Sequence, residues 1–228
     1  MIVIGAHLDT WDLSPGAIDN GVGVATVMDI AQHLVSLPKK PKRTIHFILF
    51  AAEEQGLFGS FHNVDLMVEN KQIDNIKYMI NIDMMANAKG FNSVGHKGTE
   101  QFIEMVGKHI ASLDSTYPNI NEHKKFNPGV DHKPYMLQGI PVILPVQGMD
   151  PKMVRPTYHT DRDTMDKVKP EYLENNFRRI GELITILANL DSVPAVKMDD
   201  EQTKQWMLKH NFKEALMRTN NWRWEATS

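Results

Sequence analysis

Residues 46–60, HFILFAAEEQGLFGS, join an apolar run to two adjacent carboxylates. The run from Phe47 to Ala52 is short and continuous and is soon followed by glycines, which is typical of a central strand buried on both faces. Glu53 and Glu54 then follow at the end of this strand. Open α/β sheets bind ligands beyond the carboxyl ends of their strands. Two neighbouring carboxylates repel each other unless a positive charge lies beside them, so we expect a metal ion here.

Length and composition limit the possible folds and functions. The chain has 228 residues, 42% hydrophobic content and a formal net charge of -3, which suffices for one sizeable core. No basic stripe indicates a nucleic-acid partner, and no apolar run approaches the roughly 20 residues of a membrane-spanning helix. Because the chain has ten histidines and no cysteine, a metal site must use imidazole and carboxylate groups rather than thiolates.

Apolar strands alternate with amphipathic helices along the first 190 residues. Strands are predicted at residues 1–4, 44–52, 77–84 and 140–146, and helices at 22–36, 59–69, 99–113, 131–138 and 170–190. This alternation predicts an α/β sandwich. In the helix at 22–36, the residues predicted to share one face are Val24, Met28, Ala31 and Val35.

The two ends of the chain differ from its middle. A strand that starts at the first residue is unusual for a whole domain, so we expect the domain at residues 1–195 to lack upstream residues. Residues 196–228 are predicted to form a separate C-terminal extension, helical and rich in tryptophan, with Trp206, Trp222 and Trp224. Packing on the protein's own surface or a mobile tail is favoured over a segment that docks a partner.

Five residues with metal-binding side chains lie at predicted strand ends or in adjoining turns: His7, Asp19, Glu54, Asp83 and His159. Parallel strands bring such ends to a common edge of the sheet. Zinc accepts histidine nitrogen and carboxylate oxygen, and five residues suffice for two ions if one carboxylate bridges them. Each motif alone also has an ordinary explanation, as a surface pair, a helix cap or a strand-end turn residue.

Two further carboxylates have predicted roles beside these ligands. Glu53 is not needed as a ligand, and beside a metal-activated water it would act as general base and then pass the proton to a leaving amine. Asp9 follows His7 by two residues, so it points to the same face of an extended segment. It is therefore a candidate acceptor for the second ring nitrogen of His7.

Five motifs occur in the order and approximate spacing of the co-catalytic dizinc exopeptidases: GAHLD at 5–9, GAIDNG at 16–21, AEEQGLFGS at 52–60, NID at 81–83 and HT at 159–160. From Ile2 to about Leu190 the sequence resembles the family of bacterial leucyl aminopeptidase and plasma glutamate carboxypeptidase. Trp11 and the segment DTM at 163–165 resemble the second of these branches most.

The resemblance implies a zinc-dependent exopeptidase, acting on a peptide or dipeptide, with a mixed, mostly parallel central sheet flanked by helices. Two zinc ions per chain are implied: His7 and Asp83 would hold one, Glu54 and His159 the other, and Asp19 would bridge them. Glu53 would be the base, Asp9 would orient His7, and the peptide bond between residues 19 and 20 is cis in similar enzymes. A homo-oligomer is compatible with the resemblance, and relatives are often secreted or periplasmic.

Three alternatives stay open from the sequence. One is an acyltransferase that resembles glutaminyl cyclase and uses a single zinc ion on the same fold. Another is a non-catalytic binding domain, as in the transferrin receptor ectodomain, although such domains tend to lose metal ligands. A third is a fragment that binds metal without turnover. For a group that steadies the tetrahedral intermediate the sequence offers Tyr158 and His132, and we expect both to have packing roles instead.

Overall fold

The computed structural model describes residues 1–123 and 127–224. Five strands are present: β1 (Ile2–His7), β2 (Ile45–Phe50), β3 (Tyr78–Asn81), β4 (Gly90–Asn92) and β5 (Val142–Val146). Eight α-helices are described: α1 (Val22–Ser36), α2 (Phe58–Glu69), α3 (Thr99–Leu113), α4 (His132–Leu137), α5 (Pro151–Val154), α6 (Pro170–Asn189), α7 (Asp200–Lys209) and α8 (Lys213–Arg218). None of these described helices is long and apolar enough to cross a membrane.

The strands form one mixed, mostly parallel sheet in the order β2-β1-β3-β5-β4. The neighbours β2-β1, β1-β3 and β3-β5 run parallel, and β4 runs antiparallel to β5. Such a sheet with helical connections is the predicted α/β fold, and the prediction is confirmed. Strand β4 was not predicted, because its three residues are too few for a recognisable apolar pattern.

Helices cover both faces of the sheet, which gives three layers. On β1, Ile2 and Ile4 belong to a core cluster with residues of α1, α3 and α6. The intervening Val3 belongs to a second cluster, with residues of α2, α4, α7 and α8. Because side chains alternate along a strand, these two clusters lie on opposite faces of the sheet.

The prediction that residues 47–52 form a central, fully buried strand was wrong. Among the described residues β2 pairs with β1 on one side alone, so it is the edge of the sheet. Most of its side chains are half-buried, and Leu49 is 36% exposed. A continuous apolar run indicates burial but does not reveal on how many sides a strand is paired.

Helix α1 has the predicted bounds but presents a different face to the core. Val27, Ile30 and Leu34 are buried, whereas Met28 and Val35 are 60% and 72% exposed. The helix carries two apolar stripes at helical spacing, and the hydrophobic pattern did not distinguish them.

The described part of the predicted C-terminal extension, residues 196–224, folds back onto the domain; residues 225–228 lie outside the described residues. It contains two short helices, α7 and α8. Met207 and Leu216 are fully buried in the second core cluster, and Trp206, Trp222 and Trp224 pack against it. This segment therefore adds to the helical layer that contains α2 and α4.

Arg179 of α6 is fully buried and ties three segments together. Its Nε donates to the Asp114 carboxylate at 3.0 Å, and Nη1 donates to the Ala88 carbonyl at 3.0 Å. Nη2 donates to the Thr116 hydroxyl at 3.0 Å. The guanidinium therefore links α6 to the segment after α3 and to the segment before β4.

We expect Arg179→Met to destabilise the fold by about 3–5 kcal/mol, because it leaves the Asp114 carboxylate without its buried partner. Burial opposes ionisation of Asp114, but hydrogen bonds from Thr116 and Arg179 outweigh it and lower its pKa. A lowered pKa in the folded state stabilises the protein above the unfolded value of about 3.9, and this contribution is lost as the pH falls through the folded value. The difference in unfolding free energy should therefore shrink below about pH 4.

Urea unfolding of the variant and of the parent chain, from pH 7 to pH 3, measures this difference. The neighbouring Arg178 is the control, because it is 60% exposed and, within the described ranges, its ion pair is with Glu174, one turn away. Arg178→Met should cost less than about 1 kcal/mol. Equal losses for the two variants would show that the buried network does not stabilise the fold.

Candidate metal centre

The ends of three parallel strands bring four of the predicted residues to one edge of the sheet. His7 is the last residue of β1 and lies opposite Phe50, the last residue of β2. Glu53 and Glu54 follow Phe50 within four residues. Gly5 pairs with Asn81 at the end of β3, so Asp83 projects at nearly the same level. The register of the sheet therefore explains why residues far apart in the sequence meet here.

The other two predicted residues come from loops. Asp19 lies in a tight turn, Ala17–Gly21, that leads into α1, and it is 5% exposed. Its peptide bond to Asn20 is cis, as expected from the resemblance. His159 lies in the turn that follows α5 and adopts a positive φ of 55°. The structure thus brings together the five side chains predicted as metal ligands, with Glu53 beside them.

Asp19 lies between two pairs of side chains and directs one carboxylate oxygen to each. Its Oδ1 is 3.1 Å from His7 Nε2, and that nitrogen is 3.4 Å from Asp83 Oδ1. Its Oδ2 is 3.4 Å from His159 Nε2, which is 3.0 Å from Glu54 Oε2. Each group of three offers ligand atoms that all lie within 4.8 Å of one another.

These separations fit zinc. Tetrahedral zinc with ligands at about 2.0–2.1 Å separates its ligand atoms by about 3.3 Å. The four measured separations run from 3.0 to 3.4 Å. In addition, Glu54 Oε1 is buried and has no hydrogen-bond partner among the described residues. A buried carboxylate oxygen without a donor is expected where a cation belongs.

The electrostatics of the cluster also favour a cation. Burial, and then the charge of Asp83, raise the pKa of Glu53 to about 8. Burial, and then the charge of Asp19, raise the pKa of Glu54 to about 7. Burial opposes protonation of His7, but hydrogen bonds to Asp19 and Asp83 outweigh it and raise its pKa to about 11. Without a metal ion, protons must therefore supply the positive charge that these carboxylates require.

Glu53 is 8% exposed and lines the same cleft as the five predicted ligands. One of its carboxylate oxygens lies within 4.8 Å of ligand atoms of His7 and Glu54. This position is close enough to the cluster for Glu53 to accept a proton from a water molecule there.

Asp9 makes different contacts from those predicted. His7 Nδ1 lies 2.9 Å from the Asp9 main-chain carbonyl oxygen, whereas the Asp9 carboxylate is 4.0 Å away. That carboxylate accepts hydrogen bonds from the backbone amides of Glu53 and Glu54, both at 3.1 Å. The main chain of Asp9 therefore orients the imidazole, and its side chain fixes the two glutamates.

Asp163 has an analogous contact that the sequence did not reveal. It is 1% exposed, and its carboxylate accepts hydrogen bonds from the amides of Ile18 at 2.8 Å and Asp19 at 2.9 Å. The Asn20 side chain in turn donates to the Ile82 carbonyl at 2.8 Å. These contacts fix the Asp19 turn relative to the end of β3. The only sequence signal was the segment DTM at 163–165, which the resemblance singled out without a role.

Two aromatic rings enclose His159. Trp11 stacks on one side with ring centroids 4.4 Å apart, and Tyr158 stacks at 3.7 Å. Tyr158 also lines the cleft, and burial followed by the charge of Asp19 raises its pKa. His132, the other candidate from the sequence, is fully buried and burial lowers its pKa to about 3. Tyr158 therefore lies beside the candidate metal cluster, whereas His132 lies in the interior.

A cleft of about 970 Å³ opens above the cluster. One side is formed by Phe58 and Phe61 of α2, and another by residues 127–130 and Lys133. Thr219 and Asn221, from the C-terminal segment, complete the wall. The volume suits a small ligand such as a short peptide.

Comparison with known proteins identifies aminopeptidases among the relatives of this chain. Aminopeptidase YwaD of Bacillus subtilis is 29% identical over 194 residues, which cover 81% of this chain and 40% of that protein. The solved zinc aminopeptidase BSAP from Bacillus subtilis is similar with a TM-score of 0.69 and 26% identity, over 88% of this chain and 49% of that one. A peptidase M28 precursor from Shewanella amazonensis gives a TM-score of 0.74 and 29% identity, over 86% and 43%.

The chain spans less than half the length of each of these proteins. The family model of peptidase family M28 matches residues 1–184. This match confirms the resemblance to metal-dependent exopeptidases that the five motifs indicated. The chain belongs to peptidase family M28.

Proposed function

We propose that this chain is a zinc-dependent exopeptidase that hydrolyses the peptide bond next to a free terminus, with two zinc ions and Glu53 as general base. Residues 1–195 would form the catalytic domain. The family and the zinc aminopeptidase among the similar structures support a zinc exopeptidase. The number of ions and the roles of the residues are our inference from the geometry.

The observation that carries the proposal is the position of Asp19 between two histidine–carboxylate pairs. Because each of its oxygens faces a different pair, one carboxylate can bridge two ions. His7 and Asp83 would hold the first ion, and Glu54 and His159 the second. Two bound zinc ions would polarise the scissile carbonyl and lower the pKa of a water molecule.

The side chains of the protein supply the remaining steps. Glu53 would take a proton from the attacking water and give it to the nitrogen of the leaving amine, so that water is added across the peptide bond. Tyr158, which lines the cleft beside His159, would donate a hydrogen bond to the developing oxyanion. Hydrogen bonds from the backbone to Asp9 would keep Glu53 and Glu54 in place.

The geometry disfavours two of the three alternatives, the acyltransferase and the non-catalytic binding domain. An acyltransferase with a single zinc ion has no need of a second histidine–carboxylate pair on the far oxygen of Asp19. A non-catalytic binding domain would not require Glu53 to be kept beside a complete set of five ligands. Both alternatives make different predictions for metal content and products.

Elemental analysis of protein purified without chelator, combined with hydrolysis of aminoacyl anilides and dipeptides, tests the proposal. We expect about two zinc ions per chain and release of the terminal residue. One zinc ion together with cyclisation of a peptide that begins with glutamine would identify the acyltransferase. Protein that binds no zinc even after zinc is added would contradict the site.

We expect Asp163→Asn to weaken zinc binding about 10- to 100-fold, because this carboxylate holds the amides of Ile18 and Asp19. The amide group of asparagine can accept only one of these two hydrogen bonds without placing its own N–H groups against the other. Competition with a fluorescent zinc chelator measures the change. Asp161→Asn is the control, since Asp161 is exposed in the same turn, and its zinc affinity should equal that of the parent chain.

A further inference from the structure

Lys133 is a buried lysine in the wall of the cleft. It lies in the first turn of α4 and is only 3% exposed, yet it lines the same cleft as Glu53, Glu54 and His159. Lysine is almost never this deeply buried unless its charge has a partner. The wall of the cleft therefore contains an ammonium group with little access to water.

The contacts of Lys133 with the described residues do not compensate its charge. Its Nζ donates to the Thr219 hydroxyl at 3.4 Å and lies 5.5 Å from the centre of the Phe61 ring. Burial lowers its pKa, and no neighbouring carboxylate raises it. Among the described residues none forms an ion pair with Nζ within 4.0 Å, including Asp131 two positions earlier. A distant hydroxyl and an aromatic face do not replace the water that burial removes.

The distribution of charge within the cleft is uneven. The metal-binding end holds four carboxylates, and Lys133 is the only lysine or arginine among the described residues that line the cleft. A cation in a wall with low exposure attracts an anion strongly, because little water screens it. A substrate that binds beside the carboxylates and extends along the cleft to Lys133 would place a negative group next to this cation.

We propose that Lys133 forms a carboxylate-binding subsite, so that the preferred substrates carry a negative charge on the residue released from the carboxyl side of the scissile bond. The carboxylate comes either from the free carboxyl terminus of a dipeptide or from an acidic side chain at that position. Thr219 and Phe61 hold the Lys133 side chain in the wall. This inference rests on the proposed function, because it assigns a substrate class to the same site.

Four substrates with the same amino-terminal residue test the subsite on the zinc-loaded protein: Leu-Ala, Leu-Ala-amide, Leu-Glu-amide and Leu-Gln-amide. A hydrogen bond to a charged group typically gives a 10- to 100-fold preference. We therefore expect kcat/KM of Leu-Ala to exceed that of its amide by this factor if the terminal carboxylate binds. If an acidic side chain binds, Leu-Glu-amide exceeds Leu-Gln-amide by the same factor.

Lys133→Met removes the charge but keeps most of the side-chain volume, and should reduce the relevant ratio at least tenfold. Lys133→Arg keeps the charge and should retain most of the preference. Because Lys133→Met removes an uncompensated buried ammonium, its melting temperature should rise. Lys108→Met is the control, since Lys108 is exposed on α3, and it should leave all ratios unchanged.

Equal kcat/KM values for all four substrates in the parent chain would overturn the subsite and leave the exopeptidase proposal intact. An unchanged ratio in Lys133→Met, or a lower melting temperature of that variant, would assign Lys133 a structural role instead. Failure of zinc-loaded protein to cleave any of the four would contradict both proposals. Loss of the carboxylate preference can therefore be distinguished from absence of exopeptidase activity.

Discussion

Glu53→Gln should lower kcat by about 10²- to 10⁴-fold while both zinc ions stay bound. Proton transfer by a positioned side chain contributes this much to the rate, and an amide cannot accept the proton. Glutamine has nearly the same volume as glutamate and keeps an oxygen for hydrogen bonds. The Glu53 backbone amide, which donates to Asp9 at 3.1 Å, is unaffected by the change. The substitution therefore isolates the proton-transfer role.

The position of Glu53 makes zinc content the decisive second measurement. Glu53 lies within 4.8 Å of ligand atoms of His7 and Glu54, so geometry alone allows it to be a ligand rather than a base. If Glu53 is the base, Glu53→Gln keeps the zinc content and KM close to those of the parent chain. A ligand that is lost lowers zinc content in parallel with activity.

Single-turnover kinetics and elemental analysis on the same preparation separate these two roles. Glu69→Gln is the matched control, because Glu69 is exposed at the end of α2 and should leave both quantities unchanged. Activity of Glu53→Gln above about one tenth of the parent value would contradict the assignment of the base. Loss of one zinc ion in that variant would place Glu53 among the ligands.

The residues of the site were predictable because their spacing reflects the register of the sheet. A parallel sheet aligns the carboxyl ends of its strands, so a polar residue after each apolar run indicates a shared edge. His7, Glu54 and Asp83 follow this rule, which needs no knowledge of how many neighbours each strand has. For this reason the five side chains were expected at one edge of the sheet, where the structure places them, although the predicted position of β2 in the sheet was wrong. Their role as metal ligands stays a prediction.

The contacts that support the site could not be predicted in the same way. Asp163 and the Asp9 side chain bind backbone amides, and every residue except proline has such an amide, so no sequence pattern identifies the partner. The cleft wall joins Lys133 to Thr219, 86 positions away. Contacts of this kind depend on how the C-terminal segment packs, which the periodicity of its own residues does not specify.

Zinc should raise the melting temperature of the metal-free protein by about 10–20 °C. A ligand that binds only the folded state contributes about 2.7 kcal/mol at 100 times its Kd, hence about 5 kcal/mol for two sites. For a domain of 150–250 residues each kcal/mol shifts the melting temperature by about 2–4 °C. The shift should be upward because the metal-free cluster has unfavourable electrostatics. Burial and neighbouring carboxylates oppose the ionisation of Glu53 and Glu54 and raise their pKa values.

Differential scanning calorimetry of chelator-treated protein at pH 7.5, with and without added zinc, measures the shift. Magnesium is the control ion, because it prefers six oxygen ligands and should not replace zinc between two histidines. Asp12→Asn is the control variant, since Asp12 is exposed near the turn that carries Asp19. This variant should keep the full zinc-induced shift in melting temperature.

Asp19→Asn should reduce the zinc-induced shift to less than half, although it changes one of five ligands. Each oxygen of Asp19 faces a different histidine, at 3.1 Å from His7 and 3.4 Å from His159. An asparagine has one oxygen, so it can serve one ion only and removes the negative charge between the two. If the shift in Asp19→Asn equalled the parent value, Asp19 would not be the bridge. If the zinc-induced shift fell only by the amount expected for the loss of one independent ligand, the centre would consist of two separate mononuclear zinc sites.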